Sequence, residues 1–310
     1  MKRYILKRLL EMIPTTAGVL LLCFALFHMV GGSPAEVVLG KHATLQAIAD
    51  FNAKYGYDKP LFLSLDSQFF NYLKGVLSGD FGMSTEFGVP VTQVLRNGVM
   101  PSLLLTVPIL LLGVWVGVPL AVICAANRDG PLDRGILVIS TVLMSVNYVV
   151  WILLGQYLLA FRMRLFPVWG FENWVYLCLP VIIGVFSGLG RDVRFYRTAV
   201  LDEIYKPYVR TAKAKGLGDA RILFVHVLRN ALIPIVTYVS QAIPFLFTGS
   251  LLLESFFGIP GLGCVSLNAV HSSDMAVVRA MVIIGALLYQ VVNLLTDILY
   301  GRLDPRVRLS

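Results

Sequence analysis

The 310-residue chain is far more apolar than a soluble protein of its length: 57% of its residues are hydrophobic, 14% are charged, and the mean hydropathy is +0.77. Its net charge of +8 would suit a nucleic-acid binder, but the charges lie in short segments between apolar runs, which is typical of membrane topology. The composition therefore excludes a soluble domain and predicts an all-α integral membrane protein.

Six apolar segments are long enough, or nearly so, to cross a bilayer core about 30 Å thick as helices of around 20 residues. They are approximately 9–30, 102–125, 135–160, 176–196, 232–253 and 276–300. The first segment follows a basic N-terminus, but its apolar run is longer than that of a usual signal peptide, and no clean cleavage site follows it. We therefore predict that this segment is retained as a transmembrane helix.

Lysine and arginine are distributed unevenly between the two sides that six spans define. With the N-terminus taken as cytoplasmic, the inside segments hold 18 of the 26 lysines and arginines, and the outside segments hold 8. The acidic residues split nine to nine. The positive-inside rule therefore predicts that both termini are cytoplasmic. It also predicts an outer segment over 31–101, in which the apolar spacing indicates two short amphipathic helices, about 43–55 and 63–78.

The stretch YVRTAKAKGLGDARILFVHVLRNALIP is a compact basic segment between two apolar runs. Ala212 and Ala214 are strong helix formers, and Gly216 fits the left-handed position that ends a helix. Asp219 is then placed to cap a second helix. The sequence thus predicts a helix, a sharp turn and another helix. By charge alone, a loop held on anionic head groups is the alternative.

Motifs of several enzyme classes are missing from the sequence. No stretch matches the G-x-x-x-x-G-K-[ST] loop that cradles nucleotide phosphates, so the chain is not expected to hydrolyse ATP alone. H-E-x-x-H and G-x-S-x-G are also missing, and the four histidines and four cysteines are scattered, which argues against metal, catalytic and disulfide sites. Charged residues are scarce at mid-span, and this scarcity disfavours an ion-coupled carrier.

Uncharged polar residues remain within the predicted spans. They are Ser140, Ser145, Asn147, Gln156, Ser187, Thr237, Ser240, Gln241 and Thr248. Hydroxyl and amide groups in a membrane either join helices or line a wet cavity. As a group on the third and fifth spans they predict a pore lining, and for any single residue helix packing is the alternative.

Several motifs, in the same order, resemble the dipeptide, oligopeptide and nickel permease family of binding-protein-dependent ABC importers. They are YILKRLLEMIPT at the start, YGYDKPL and GDFGMS in the outer segment, RTAKAKGL and HVLRNALIPIVT in the basic loop, ESFFGIPGLG after the fifth span, and DPRVR at the end. The resemblance covers nearly the whole chain and is nearest to an oligopeptide-importing branch. It implies the type I importer fold, with a single permease domain over 1–310.

The resemblance also implies partners in a bacterial inner membrane. These are a homologous second permease subunit, two cytoplasmic ATP-binding subunits and an extracytoplasmic substrate-binding protein; ATP and Mg²⁺ would be bound by the ATPase subunits, with no cofactor in this chain. The coupling loop, about 197–231, would carry the motif that the ATPases grip. That motif falls on Arg210, Thr211, Ala212, Lys213, Ala214, Lys215, Gly216 and Leu217, followed by Asp219. Thr211 and Ala212 stand where the generic motif has Glu-Ala, so an acidic contact is not expected there.

Two further sites are predicted. GIPGLG resembles the re-entrant outer loop between the last two spans, where Pro260, Gly261 and Gly263 permit a tight non-helical path, with an ordinary outer hairpin as the alternative. The residues predicted to face the translocation cavity are Asn147, Ser240, Gln241 and Glu254. The Glu254 carboxylate is expected near the outer mouth, where it would attract a peptide's amino terminus or help to dock the binding protein.

Together these patterns predict a channel-forming subunit that imports di- or oligopeptides with energy from partner ATPases. Nickel or another small solute is the alternative substrate within the family. A stand-alone secondary carrier and a membrane enzyme are the alternatives from other classes. The scarcity of mid-span charges argues against the carrier, and the missing catalytic motifs argue against the enzyme.

Overall fold

A computed structural model describes residues 2–30, 44–55, 58–61, 64 and 66–303, and every regular element in these ranges is a helix. Residues 31–43 of the predicted outer segment and the terminal DPRVR motif lie outside the described residues. The fold class predicted from composition, an all-α chain rich in apolar helices, is confirmed for the described part.

The helices follow one another from a long N-terminal helix to a long C-terminal one, with shorter helices between the apolar spans. In chain order they are α1 (Lys2–Val30), α2 (Leu45–Tyr55), α3 (Gln68–Ser78), α4 (Val91–Ala126), α5 (Pro131–Ser145), α6 (Tyr148–Arg162), α7 (Val175–Ile204), α8 (Pro207–Ala214), α9 (Asp219–Ser240), α10 (Ile243–Thr248), α11 (Leu251–Phe257), α12 (Leu262–His271) and α13 (Met275–Leu303). The second half of α6, Gln156–Arg162, and one turn of α9, Ile222–Val227, are π-helical.

Five helices are long and apolar enough to cross a membrane, and the count rises to seven if each of two bent pairs is one span. The five lie in α1, α4, α7, α9 and α13, and the bent pairs are α5 with α6 and α11 with α12. The predicted number of six lies between these counts. In the region of the predicted fifth span, about 232–253, the chain forms α9, α10 and α11 in succession, with Gly249 at a φ of 77° between the last two.

The apolar run predicted as one span over about 135–160 is broken in the structure. Helices α5 and α6 meet at an angle of 94°, because Val146 is extended and Asn147 starts a new helix. The Asn147 side-chain oxygen accepts a hydrogen bond from the Val149 N–H at 2.9 Å, which is the usual role of an N-cap asparagine.

The chain forms two compact units. One comprises Met1–Val99 and Val265–Val291, and the other comprises Met100–Cys264 and Val292–Ser310. In the first unit, Leu20, Cys23 and Ile283 form a buried cluster between α1 and α13. Its loops are joined by the buried Asp274 carboxylate, which accepts a hydrogen bond from the Ser84 hydroxyl at 2.5 Å.

The second unit is built around α7, which packs against α5 and α9. Gly190 of α7 lies against the Ser140 carbonyl, at a place where a Cβ atom would come within 2.5 Å of that oxygen. The same two helices are joined by Arg197, which donates two hydrogen bonds, of 2.7 and 2.6 Å, to the buried Asp133 carboxylate. This bidentate pair and the close backbone contact fix α5 on α7.

Candidate functional site

A cavity of about 570 Å³ lies among α4, α7, α9 and the segment that follows α9 in the second unit. Its volume is within the range of about 300–1,000 Å³ that is typical of ligand cavities. Its lining consists of Thr106, Ile109, Leu110, Gly113, Val114, Tyr148, Gly184, Val185, Gly188, Arg191, Asp192, Tyr196, Tyr238, Val239, Gln241, Ala242, Leu246, Gly249, Ser250 and Leu253. The wall is therefore mostly apolar, with a few polar groups that converge on it.

Two charged residues of this lining, Arg191 and Asp192, are consecutive on α7. Asp192 Oδ1 accepts a hydrogen bond from the Tyr238 hydroxyl of α9 at 2.8 Å, and it lies 3.6 Å from the Arg191 Nε. The Asp192 side chain is 18% exposed, whereas that of Arg191 is 69% exposed. The pair therefore presents both signs of charge at the wall of an otherwise apolar cavity.

An aromatic cluster holds the Tyr238 ring in place. The ring stacks on Phe195 at a centroid distance of 4.3 Å and meets the edge of Tyr196 at 5.9 Å and 88°. Tyr196 is almost completely buried, so this side of the cluster is rigid. The position of the hydroxyl that bonds Asp192 is consequently set by packing.

The basic segment forms the short helix α8, which begins at Pro207 and ends at Ala214. Val209 and Ala212 are buried in a cluster with α4, α7 and α9, and the other face of α8 is exposed. The Tyr208 hydroxyl donates a hydrogen bond to Glu203 at 2.7 Å, and burial, followed by this bond, raises the pKa of Tyr208 to about 12. The hydroxyl therefore remains a donor at neutral pH, and α8 is docked by both apolar and polar contacts.

The positive φ predicted for Gly216 is confirmed, since its φ is 76° and it follows the last turn of α8. The predicted N-cap role of Asp219 is wrong. The residue at the cap is Gly218, with Asp219 already inside the helix and its carboxylate 3.3 Å from the Lys213 Nζ. The exposed members of the predicted coupling motif are Arg210, Thr211, Lys213, Ala214, Lys215 and Gly216, whereas Ala212 is buried and Leu217 is partly buried.

Glu254, predicted near the mouth of a pathway, is fully buried. Its Oε1 accepts hydrogen bonds from the Ser102 hydroxyl at 2.8 Å and the Ser250 N–H at 3.0 Å. Its Oε2 accepts one from the Cys264 N–H at 3.0 Å, and the Gly263 N–H also donates to this carboxylate. All of these partners are donors, which is the environment of an ionised carboxylate that holds backbone together. Glu254 is therefore placed as a structural group.

The predicted re-entrant loop wraps around this carboxylate. A Cβ atom at Gly261 would overlap Glu254 Oε2, and one at Gly263 would come within 2.7 Å of the Leu251 nitrogen. Pro260 is exposed at the turn, and the Gly261 N–H donates to the Ile259 carbonyl at 2.8 Å. The glycines permit this close path, as the sequence predicted. The path is tight because the backbone closes around the Glu254 carboxylate.

Of the four residues predicted to face a cavity, Gln241 lines it. Asn147 is an exposed helix cap, and its chain neighbour Tyr148 lines the cavity. Ser240 is buried, and its hydroxyl donates to the Val236 carbonyl one turn earlier at 2.7 Å. That these residues face the translocation pathway stays a prediction, and in this cavity Gln241 is the one of the four that lines the wall.

Sequence reasoning missed Arg191, Asp192 and Tyr238 as cavity residues. The two charges stand near the end of an apolar run, so the sequence pattern assigns Arg191 to the basic loop, although α7 continues to Ile204. A signal was present in the sequence: Gly184 and Gly188 precede the charges at i, i+4 spacing, which indicates close approach along one side of the helix. Among the described residues, no group of three or more His, Cys, Asp or Glu is arranged to hold a metal ion.

Comparison with known proteins places the chain in a family. The family described as "Binding-protein-dependent transport system inner membrane component" matches residues 117–309, and its N-terminal companion matches residues 1–91. The chain is 33% identical over 309 residues to the glutathione transport system permease protein GsiC of Salmonella typhimurium, with 99% of each chain covered. It is 32% identical over 313 residues to a probable peptide ABC transporter permease protein of Sinorhizobium fredii, covering 98% of this chain and 99% of that one.

The similarity to a permease over the full length and the five to seven candidate membrane spans both indicate a membrane protein. Both family matches fall on the parts of the chain that carry the predicted motifs, including the basic loop and the GIPGLG turn. The chain therefore belongs to the family of inner-membrane permease components of binding-protein-dependent ABC transporters and is a multi-pass protein of the bacterial cytoplasmic membrane.

Proposed function

We propose that this chain is the channel-forming permease subunit of an ABC importer for di- and oligopeptides, with glutathione inside that substrate class. The observation that carries the proposal is the similarity over practically the whole chain to permeases of glutathione and peptide transport systems. A mostly apolar cavity that has a charged pair in its wall supports it, because peptides combine an amide backbone with charged ends.

The proposed topology is a single permease domain over 1–310 with six spans and cytoplasmic termini. Support comes from the 18 to 8 distribution of lysine and arginine and from a span count between five and seven. Single cysteines at Leu77 and at Gly218, both exposed, are placed in a chain without its four native cysteines. They should react with an impermeant reagent from outside and from inside, respectively. Reaction of both from one side would contradict this topology.

Energy would come from two partner ATPase subunits, which bind ATP and Mg²⁺. No cofactor is proposed for this chain itself. The exposed face of α8 is the proposed contact. The buried face supports this role, because Val209 and Ala212 share one cluster with Ile222, Val227 and Ala231 of α9. A displacement of α8 would therefore move α9, which carries Tyr238 to the cavity wall. A second permease and an external binding protein complete the proposed assembly.

The experiment compares two glycines of the same loop. Gly216 has a φ of 76°, which strains a β-branched residue by at least about 1 kcal/mol, whereas Gly218 has φ −64° and ψ 146°, which valine adopts readily. A Cβ atom at either position meets nothing within 4 Å. Gly216→Val should therefore disturb the end of α8 without a steric clash, and Gly218→Val is its matched control.

Each variant is purified with its partners and reconstituted with the binding protein in proteoliposomes. With Gly216→Val, peptide uptake and the stimulation of ATP hydrolysis by loaded binding protein should fall together, whereas Gly218→Val should retain both. Equal activity of the two variants would remove α8 from the coupling role. Failure of the wild-type assembly to take up either trialanine or glutathione would contradict the substrate class.

A further inference from the structure

We propose that Asp192 is a binding residue for the free ammonium group of the transported peptide, an inference that rests on the proposed function and names a recognition group within its cavity. The occupant is therefore a peptide with an unmodified amino terminus. Arg191 lies beside this position and presents the opposite charge to the same cavity, which suits a zwitterionic solute.

The two oxygens of Asp192 are in different environments. The hydrogen bond from Tyr238 and the contact with Arg191 both end on Oδ1, at 2.8 and 3.6 Å. On the other side, Oδ2 faces Gly113 and Gly188 of the cavity wall, where Cβ atoms would lie 3.8 and 3.5 Å from it. One oxygen is thus held by the protein, and the other is directed at space that stays open because the two glycines have no side chains.

The geometry fixes the chemical class of the group that would bind at Oδ2. An ionised carboxylate oxygen accepts hydrogen bonds and attracts positive charge, and an ammonium group supplies three N–H donors on a compact cation. The apolar remainder of the wall lowers the local dielectric constant, and this makes a direct charge-assisted hydrogen bond stronger than in water. A neutral amide nitrogen at the same point would lose the charge contribution.

Asp192 is also preorganised for this role. Its partner Tyr238 is held between Phe195 and Tyr196, so the carboxylate is oriented before any solute arrives.

A second ion pair on α7 provides a contrast within the same helix packing. Arg197 of α7 and Asp133 of α5 form a bidentate, closed pair, whereas the contact between Arg191 and Asp192 is longer and opens to the cavity. The closed pair joins two helices. The open pair is the one built to accept a further partner.

The test measures direct binding of tritiated trialanine and of N-acetyl-trialanine to the purified complex in detergent, without the external binding protein, so that the selectivity of that protein does not contribute. A charge-assisted hydrogen bond corresponds to a preference of about tenfold to a hundredfold for the free amino terminus in the wild type. Asp192→Asn should reduce the preference to within about twofold and leave the affinity for the acetylated peptide unchanged. Asp202→Asn, an exposed change of the same kind on α7, should behave like the wild type.

A second variant tests the space instead of the charge. Gly113→Ala places a methyl group at ordinary contact distance from Oδ2, so it fits the fold while it occupies the proposed ammonium position. It should also abolish the preference. Gly135→Ala on α5, where nothing lies within 4 Å of the added Cβ atom, is the matched control.

The outcomes separate this inference from the proposed function. A preference that survives in Asp192→Asn or in Gly113→Ala overturns the inference, and so does equal binding of the two peptides to the wild type. If Asp192→Asn yields no intact complex, the result with Gly113→Ala decides. If wild-type proteoliposomes take up peptide but the variants keep the preference for the free amino terminus, the proposed function stands and the inference about Asp192 fails. If no peptide is taken up at all, both the inference and the proposed function are overturned.

Discussion

Glu254 and Asp192 are carboxylates of the same compact unit, in surroundings that are largely apolar, and the protein uses their oxygens differently. Both oxygens of Glu254 accept hydrogen bonds from the protein, and its side chain has no exposed area. In Asp192, one oxygen is bonded by Tyr238 and the other faces a cavity. Three glycines close on the first carboxylate, and two glycines leave space at the second.

The difference indicates what each group does. A buried carboxylate with only donors around it stabilises the segment that supplies those donors, and its removal leaves several N–H groups unsatisfied. A carboxylate with one oxygen directed at a cavity contributes little to folding, because water or a solute can satisfy that oxygen. As acids the two residues have the same chemistry, and only their surroundings distinguish the structural role from the binding role.

The largest expected effect is that of Glu254→Gln. The new side-chain amide would place its NH₂ group opposite either the Cys264 N–H or the Ser250 N–H, so donors would face donors at full burial. At about 1–3 kcal/mol for each unsatisfied group, we expect a loss of roughly 3 kcal/mol in the free energy of unfolding. Thermal unfolding of the purified permease in detergent should show a clear decrease in the midpoint temperature. If Glu254→Gln unfolds at the same midpoint temperature as the wild type, Glu254 does not have the structural role that distinguishes it from Asp192.

The second effect tests the close packing around Glu254. In Gly261→Ala, the added methyl group would overlap Oε2, and the carboxylate cannot retreat without losing its backbone donors. Such overpacking typically costs about 1–3 kcal/mol. Gly135→Ala makes the same chemical change in open space and should be as stable as the wild type or slightly more stable, since alanine favours helix. Equal thermal midpoint temperatures for Gly261→Ala and Gly135→Ala would contradict this prediction, because they would show that the turn around Glu254 can move to accommodate a methyl group.

The smallest effect is expected for the stability of Asp192→Asn. The asparagine side-chain oxygen can still accept the hydrogen bond from Tyr238, and the lost contact with Arg191 is long. We expect a change below about 1 kcal/mol in the free energy of unfolding, as for other loosely paired charges. The same thermal assay compares this variant with Glu254→Gln. A loss as large as that of Glu254→Gln would assign Asp192 to the structural class.

Much of the fold could be predicted from the sequence, since bilayer thickness and composition limit the structures that apolar runs can form. The short helix before Gly216 and the positive φ of that residue were also predictable, because alanine-rich helix followed by glycine is a local pattern. The 94° bend between α5 and α6 was not found. The polar residues at the break are Ser145 and Asn147, and a cap residue resembles a polar pore residue when it is considered alone.

The candidate site was harder to predict because it depends on contacts between distant helices. Asp192 and Tyr238 are 46 residues apart, and no local pattern pairs them. Glu254 was predicted to face the translocation cavity near its outer mouth, but the residue is fully buried. Its donors come from Ser102, 152 residues away, and from a turn whose path the sequence does not specify. Periodicity indicates that a helix exists, whereas the face that points inward depends on the bends and π-turns that precede it.

The π-helical turn of α9 has a consequence for insertions and deletions. A π-turn contains one residue more than the α-helix that surrounds it, and each residue rotates an α-helix by about 100°. The turn at Ile222–Val227 lies between the buried face of α8 and the cavity wall at Tyr238. Deletion of one residue within it would restore a regular helix and leave Tyr238 on the side of Asp192, because the π-turn absorbs one extra residue. The same deletion in the α-helical part between the turn and Tyr238 would rotate the ring by about 100°. An alignment gap within this turn is therefore compatible with an unchanged cavity wall, whereas a gap between Leu228 and Tyr238 marks a change in cavity chemistry even where every residue of the cavity itself is retained.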